Sequence, residues 1–93
     1  MSSKIHASHI LVKTEDEAKQ ILLIISQGNK SFEHVAQERS LCPSGKKGGD
    51  LGYFGRGQMV KEFENAAFKL KPGQISQPVK TQFGWHVIKV IDN

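Results

Sequence analysis

Cysteine is almost missing from the chain: 93 residues hold one, Cys42. A single cysteine excludes any disulfide within the chain. With no second cysteine, no Cys-x-x-Cys and no His-x-x-x-His spacing, nothing reads as a zinc site. Long apolar runs are absent too. None approaches the roughly 20 residues that span a bilayer. The opening MSSKIHASHILV lacks the apolar core of a secretory signal. Together these absences lead to the expectation of a cytoplasmic protein with a free thiol. Aromatics make up only 8%, with one Trp and one Tyr. No helix-turn-helix, zinc finger or RNA-binding aromatic motif occurs. Repeats, linkers and low-complexity tracts are also lacking.

What remains is an ordinary globular composition, 38% apolar and 24% charged. The length allows one core, so residues 1–93 are expected to form one domain and to act as a monomer. The formal charge of +4 comes from lysines spread along the chain. Spread in this way they read as a solvated surface. Contact with nucleic acid or an anionic membrane is the sharper alternative.

Residues 5–13, IHASHILVK, alternate between two apolar sets. Ile5, Ala7, His9 and Leu11 point one way, and His6, Ser8, Ile10 and Val12 the other. Apolar side chains on both faces predict a central strand. On that strand His6 and His9 fall on opposite faces, which disfavours a shared metal. Thr14 with Glu17 predicts a helix start, followed by Ala18, Ile21, Leu22 and Ile25 at helical spacing, with Gly28 as the stop. Ser31 opens a second helix that buries Phe32, Val35 and Ala36 and ends near Arg39.

The segment Ser40–Phe63 contains Cys42 and six of the nine glycines. Glycine is weak in helices and strands alike, so this stretch is expected to be a shaped loop that places a few side chains. Pro43 holds Cys42 extended. A short strand is predicted at Leu51–Phe54 and a helix at about Val60–Lys69. Pro72-Gly73 marks a turn. Short strands are predicted at Gln74–Ser76 and Val79–Thr81. The last strand, Trp85–Ile91, sets Trp85, Val87, Lys89 and Ile91 against His86, Ile88 and Val90. The resulting class is α+β, with one small, mostly antiparallel sheet.

Three groups could carry chemistry. His9 and His86 sit on two strands read as central, and if these are neighbours the imidazoles fix each other's tautomers. Each alone reads as a satisfied core histidine. Cys42 reads as a small buried apolar residue or as a cysteine nucleophile, though the chain is short for a cleft plus an oxyanion hole. Leu51, Met59 and Phe63 read as core or as an adaptable apolar pocket. The glycines match no phosphate-binding pattern, and Lys46-Lys47 lacks the Ser/Thr of a P-loop.

The ordered blocks HILVK at 9–13, CPSGKKGGDLG at 42–52, GQMV at 57–60, FENAAF at 63–68 and TQFGWHVI at 81–88 resemble the parvulin-type (rotamase) peptidyl-prolyl cis/trans isomerases. The resemblance covers nearly the whole chain. It implies a parvulin (FKBP-like) fold with a four-stranded sheet and four helices, one of them short and following Cys42. It implies catalytic positions at His9, Cys42, Thr81 and His86. It also implies substrate-binding positions at Leu51, Met59 and Phe63, which would take the proline ring, and at Ser44, Gln58 and Phe83. Proline-containing peptides and folding proteins are the implied partners, with no cofactor and no metal. A parvulin-like binding module without catalysis is the alternative. Phosphorylation-directed members carry a basic cluster in a long loop after the first strand. Here Thr14-Glu15-Asp16-Glu17 is short and acidic, so no phospho-Ser/Thr requirement is expected.

Overall fold

The computed structural model describes residues 4–92. Strand β1 (Lys4–Val12) is followed by α1 (Glu15–Ser26), α2 (Phe32–Arg39) and a 3-10 helix (Pro43–Lys47). Then come β2 (Asp50–Gly55), α3 (Lys61–Phe68), β3 (Val79–Thr81) and β4 (Gly84–Asp92). The sheet is antiparallel throughout, in the order β2-β1-β4-β3. β1 and β4 are therefore the inner strands, as their two-sided apolar pattern requires.

Each face of the sheet has its own core. Ile10, Val12 and Val87 pack with Ala18 and Ile21 of α1 and Phe32, Val35 and Ala36 of α2. On the other face Ile5, Ala7, Ile88 and Val90 pack with Phe54 of β2 and Phe63 and Ala67 of α3. Full burial of an aliphatic side chain such as Ile10 or Ile88 contributes about 1.5–3 kcal/mol. These contacts decide on which face each helix docks.

The helix starts follow their caps. Thr14 Oγ1 accepts from Glu17 N–H at 3.2 Å, and Ser31 Oγ accepts from His34 N–H at 3.1 Å. Glu17 does not reach back to the backbone; its Oε1 accepts from the Thr14 hydroxyl instead, at 3.1 Å. Leu22 and Ile25 lie at the edge of the core rather than inside it. The fourth helix implied by the resemblance is the 3-10 helix, which begins with Pro43 at its first position.

One predicted strand is reduced to a single bridge, Ile75 opposite Lys89. Ser76 N–H donates to Ile88 O at 2.7 Å, but Ile88 N–H donates to Ser76 Oγ at 3.0 Å. A side chain thus takes the place of a backbone carbonyl, and this interrupts the ladder. Two bulges follow His6: register shifts fall between His6 and Ser8 against β2, and between His6 and Ala7 against β4. They bring Tyr53 and Asp92 together, and the Tyr53 hydroxyl donates to Asp92 Oδ2 at 2.8 Å.

Candidate active site

In the β1–β4 ladder His9 pairs with Ile88 and Leu11 with His86. The two histidines are therefore diagonal neighbours on one face, close enough for their rings to meet. Their Nδ1 atoms lie 2.9 Å apart and the rings stack at 5.1 Å. On the far side of His86, Nε2 is 2.7 Å from Thr81 Oγ1, and that oxygen accepts from Phe83 N–H at 3.1 Å. The Phe63 ring meets both imidazoles edge-on, with centroids 5.5 Å from His9 and 5.3 Å from His86. Burial, reinforced by the neighbouring His86, pushes the His9 pKa down to about 4. Burial lowers that of His86 as well. Both shifts favour the neutral form of the ring.

The glycine-rich segment closes on this pair from the edge of β1. His9 N–H donates to Gly49 O at 2.9 Å. A Cβ on Gly49, whose φ is +86°, would collide with the His9 carbonyl oxygen, so only glycine lets the two backbones approach. Further along, Leu41 N–H donates to Leu11 O at 2.8 Å. Ser40 Oγ accepts from Leu11 N–H at 3.1 Å and from Cys42 N–H at 3.3 Å. Cys42 is thereby held extended beside β1, with φ −84° and ψ 141°.

A cavity of about 490 Å³ opens above these groups. Its buried members are His9, His86 and Phe63. Leu51 and Met59, half-buried, line it with Gln58. Cys42 lines it too, between Leu41 and Pro43. Phe83 and Leu41 complete it as exposed residues, 61% and 55% accessible.

Of the residues singled out in the sequence, eight line this cavity: His9, Cys42, Leu51, Gln58, Met59, Phe63, Phe83 and His86. Ser44 and Thr81 do not. Ser44 stands behind the thiol and donates its hydroxyl to Cys42 Sγ at 3.2 Å. Thr81 is buried behind His86. Both touch a cavity residue and not the cavity, because short hydroxyl side chains there are taken up by a neighbour. Sequence reasoning missed Leu11, Leu41, Pro43 and Val60, which also line the space. Leu11 was within reach of it, since strand alternation sets that residue on the His9 face.

Residues 8–92 match the family described as Rotamase: PPIC-type PPIASE domain. The foldase protein PrsA 1 of Bacillus cereus is 58% identical over 90 residues, covering 96% of this chain and 31% of the relative. The chain thus spans about a third of the length of the curated relatives it matches. The crystal structure of PrsA from Bacillus subtilis superimposes with a TM-score of 0.94 at 48% identity, over 98% of this chain and 36% of that one. The solution structure of NmPin, the parvuline of Nitrosopumilus maritimus, gives a TM-score of 0.88 at 48% identity and covers 98% of both chains.

Proposed function

Because the chain belongs to the rotamase family of PPIC-type peptidyl-prolyl isomerase domains, we propose that it accelerates cis/trans rotation about the peptide bond before proline. The observation that carries this reading is the cavity, whose apolar walls surround two histidines kept neutral by burial. A planar amide owes its rotation barrier of about 18–20 kcal/mol to charge-separating resonance. X-Pro isomers are close to balanced, so only the barrier has to fall. An apolar cavity that grips the proline ring disfavours the charge-separated planar form relative to the twisted one. Each 1.36 kcal/mol removed gives about tenfold in rate.

No bond is made or broken in this scheme. Cys42 Sγ already accepts the Ser44 hydroxyl, and the thiol serves as a polar neighbour to the swinging carbonyl. Among the described residues, those lining the cavity include no Lys or Arg, and the β1–α1 connection is followed by Glu15, Asp16 and Glu17. Substrates therefore need no phosphate, and the exposed side chains of Leu41 and Phe83 favour apolar residues beside the proline. The foldase name of the Bacillus cereus relative extends the substrate class from peptides to folding chains.

A protease-coupled assay with X-Pro peptides tests the reading: the wild-type chain accelerates the slow cis fraction. Peptide binding without acceleration would make it a binding module instead.

A further inference from the structure

We propose that Glu64 is a positioning residue for the proline pocket: its carboxylate fixes the turn that delivers Gln58, Met59 and Val60 to the cavity. The inference rests on the isomerase reading of that cavity and adds the device that holds its wall in place.

Glu64 lies in the first turns of α3, one residue beyond Phe63 and with its side chain only 14% exposed. Its carboxylate meets the preceding turn at two points, and its backbone makes the first helical bond back to the N-cap. Its Oε1 accepts from Gly57 N–H at 2.5 Å, and its Oε2 faces Arg56 Nη1 at 3.3 Å. Its own N–H donates to Val60 O at 2.9 Å. Residues 56, 57 and 60 bracket Gln58 and Met59, so the two cavity residues sit on a loop tied down at both ends. The bond at Gly57 is needed because that residue has φ +87°, a conformation that favours glycine but leaves the chain free to relax when unheld.

Two further contacts stiffen the same turn. Gln58 Oε1 accepts from Gly55 N–H at 2.5 Å. The Arg56 guanidinium lies 4.3 Å from the centre of the Phe68 ring, so it is placed between α3's aromatic and α3's carboxylate. Glu64 is not acting as a helix cap: the N-cap is Val60, which makes no side-chain hydrogen bond. Its carboxylate is directed at the turn.

The test compares Glu64→Ala, Glu64→Asp and Glu64→Gln with wild type in steady-state X-Pro isomerisation, alongside Tm and amide exchange at Gly57. Aspartate keeps the charge but falls one methylene short; glutamine keeps the acceptor for Gly57 N–H and gives up the Arg56 pair, whose guanidinium is largely exposed and contributes little. We expect Ala and Asp to raise KM about tenfold with kcat little changed, the signature of lost ground-state positioning. Gly57 exchange accelerates in step, and Gln stays within about twofold of wild type. A lowered Tm with KM unchanged in Ala and Asp would mean a purely structural role and overturns the proposal while the isomerase reading stands. If Ala does not fold, Asp decides alone by the same criterion. An inactive wild type overturns the isomerase reading and this inference together.

Discussion

His9 Nδ1 and His86 Nδ1 face each other at 2.9 Å, so one of them donates and the other accepts. The rest of the network decides which. Thr81 Oγ1 accepts from Phe83 N–H and lies 2.7 Å from His86 Nε2. If the Thr81 hydroxyl donates to His86 Nε2, His86 carries its proton on Nδ1 and donates to His9. Every group is then paired except His9 Nε2–H, and His9 Nε2 is the one buried side-chain nitrogen or oxygen without a partner among the described residues. The opposite assignment leaves the Thr81 proton unpaired as well. The order Phe83 N–H to Thr81 to His86 to His9 is therefore the favoured one.

Protonation breaks this network, because a second proton would set two N–H donors against each other. The folded pKa of His9 is pushed from 6.5 down to about 4, first by burial and then by His86. Between those values the unfolded chain binds more protons than the folded one. Stability is full above pH 6.5 and falls as pH drops through the window, by roughly 3 kcal/mol for His9. His86 acts in the same direction. Urea melts at pH 7 and pH 4.5 measure the loss, and His9→Leu should remove most of the slope. A wild-type midpoint unchanged over that range would refute the burial argument.

Thr81→Val tests the direction of the relay. It removes the proton given to His86 and the acceptor for Phe83 N–H, and should cost about 1–3 kcal/mol. Imidazole nitrogen shifts should report a changed His86 tautomer, with Thr81→Ser restoring the wild-type pattern. Wild-type shifts in the valine variant would reverse the assigned order.

Much of this was legible in the chain. Alternation on both faces of residues 5–13 marked β1 as central, and the same alternation put His9 with Leu11 and His86 with Ile88; that this face turns away from α1 and α2 follows only from how the helices pack. Thr14, Ser31 and Gly28 marked helix boundaries through their capping chemistry. Other features follow from partners distant in sequence. The bulges beside His6 depend on how three strands meet, and the ladder at Ser76 is interrupted by its own hydroxyl. Glu64 looks like any acidic residue in a helix's first turns until Gly57 and Arg56 come against it. Leu41 lies in a polar loop, and it reaches the cavity through bonds to a residue thirty positions away, Leu41 N–H to Leu11 O and Leu11 N–H to Ser40 Oγ.

Phe63 and Met59 both line the cavity but should separate in experiment. Phe63 is 3% exposed and packs on both imidazoles and on Phe54. Phe63→Ala should cost about 3–5 kcal/mol of stability as well as activity. Met59 is half-buried on the held turn, so Met59→Ala should raise KM with a small change in Tm. Equal activity in wild type and both variants, assayed below their melting temperatures, would place the proline elsewhere.

Cys42→Ser distinguishes a polar neighbour from a nucleophile. Serine preserves an acceptor for the Ser44 hydroxyl, now 3.2 Å from the sulfur. Activity should stay within about fivefold of wild type, because no covalent intermediate is needed. Loss of nearly all turnover in a folded variant would restore the covalent alternative.

Ser40→Ala probes how the cysteine is held. One hydroxyl oxygen serves two backbone donors, Leu11 N–H at 3.1 Å and Cys42 N–H at 3.3 Å. Alanine leaves both without that acceptor, and the partly buried site should lose about 1–2 kcal/mol. The neighbouring bond from Leu41 N–H to Leu11 O, at 2.8 Å, uses no side chain and survives. Amide exchange should therefore accelerate at Leu11 and Cys42 and stay slow at Leu41. With Cys42 loosened and β1 still anchored, kcat/KM should fall more than the change in Tm accounts for. Uniform acceleration at all three amides would show that the whole segment had detached, and would assign Ser40 to the α2 terminus rather than to the site.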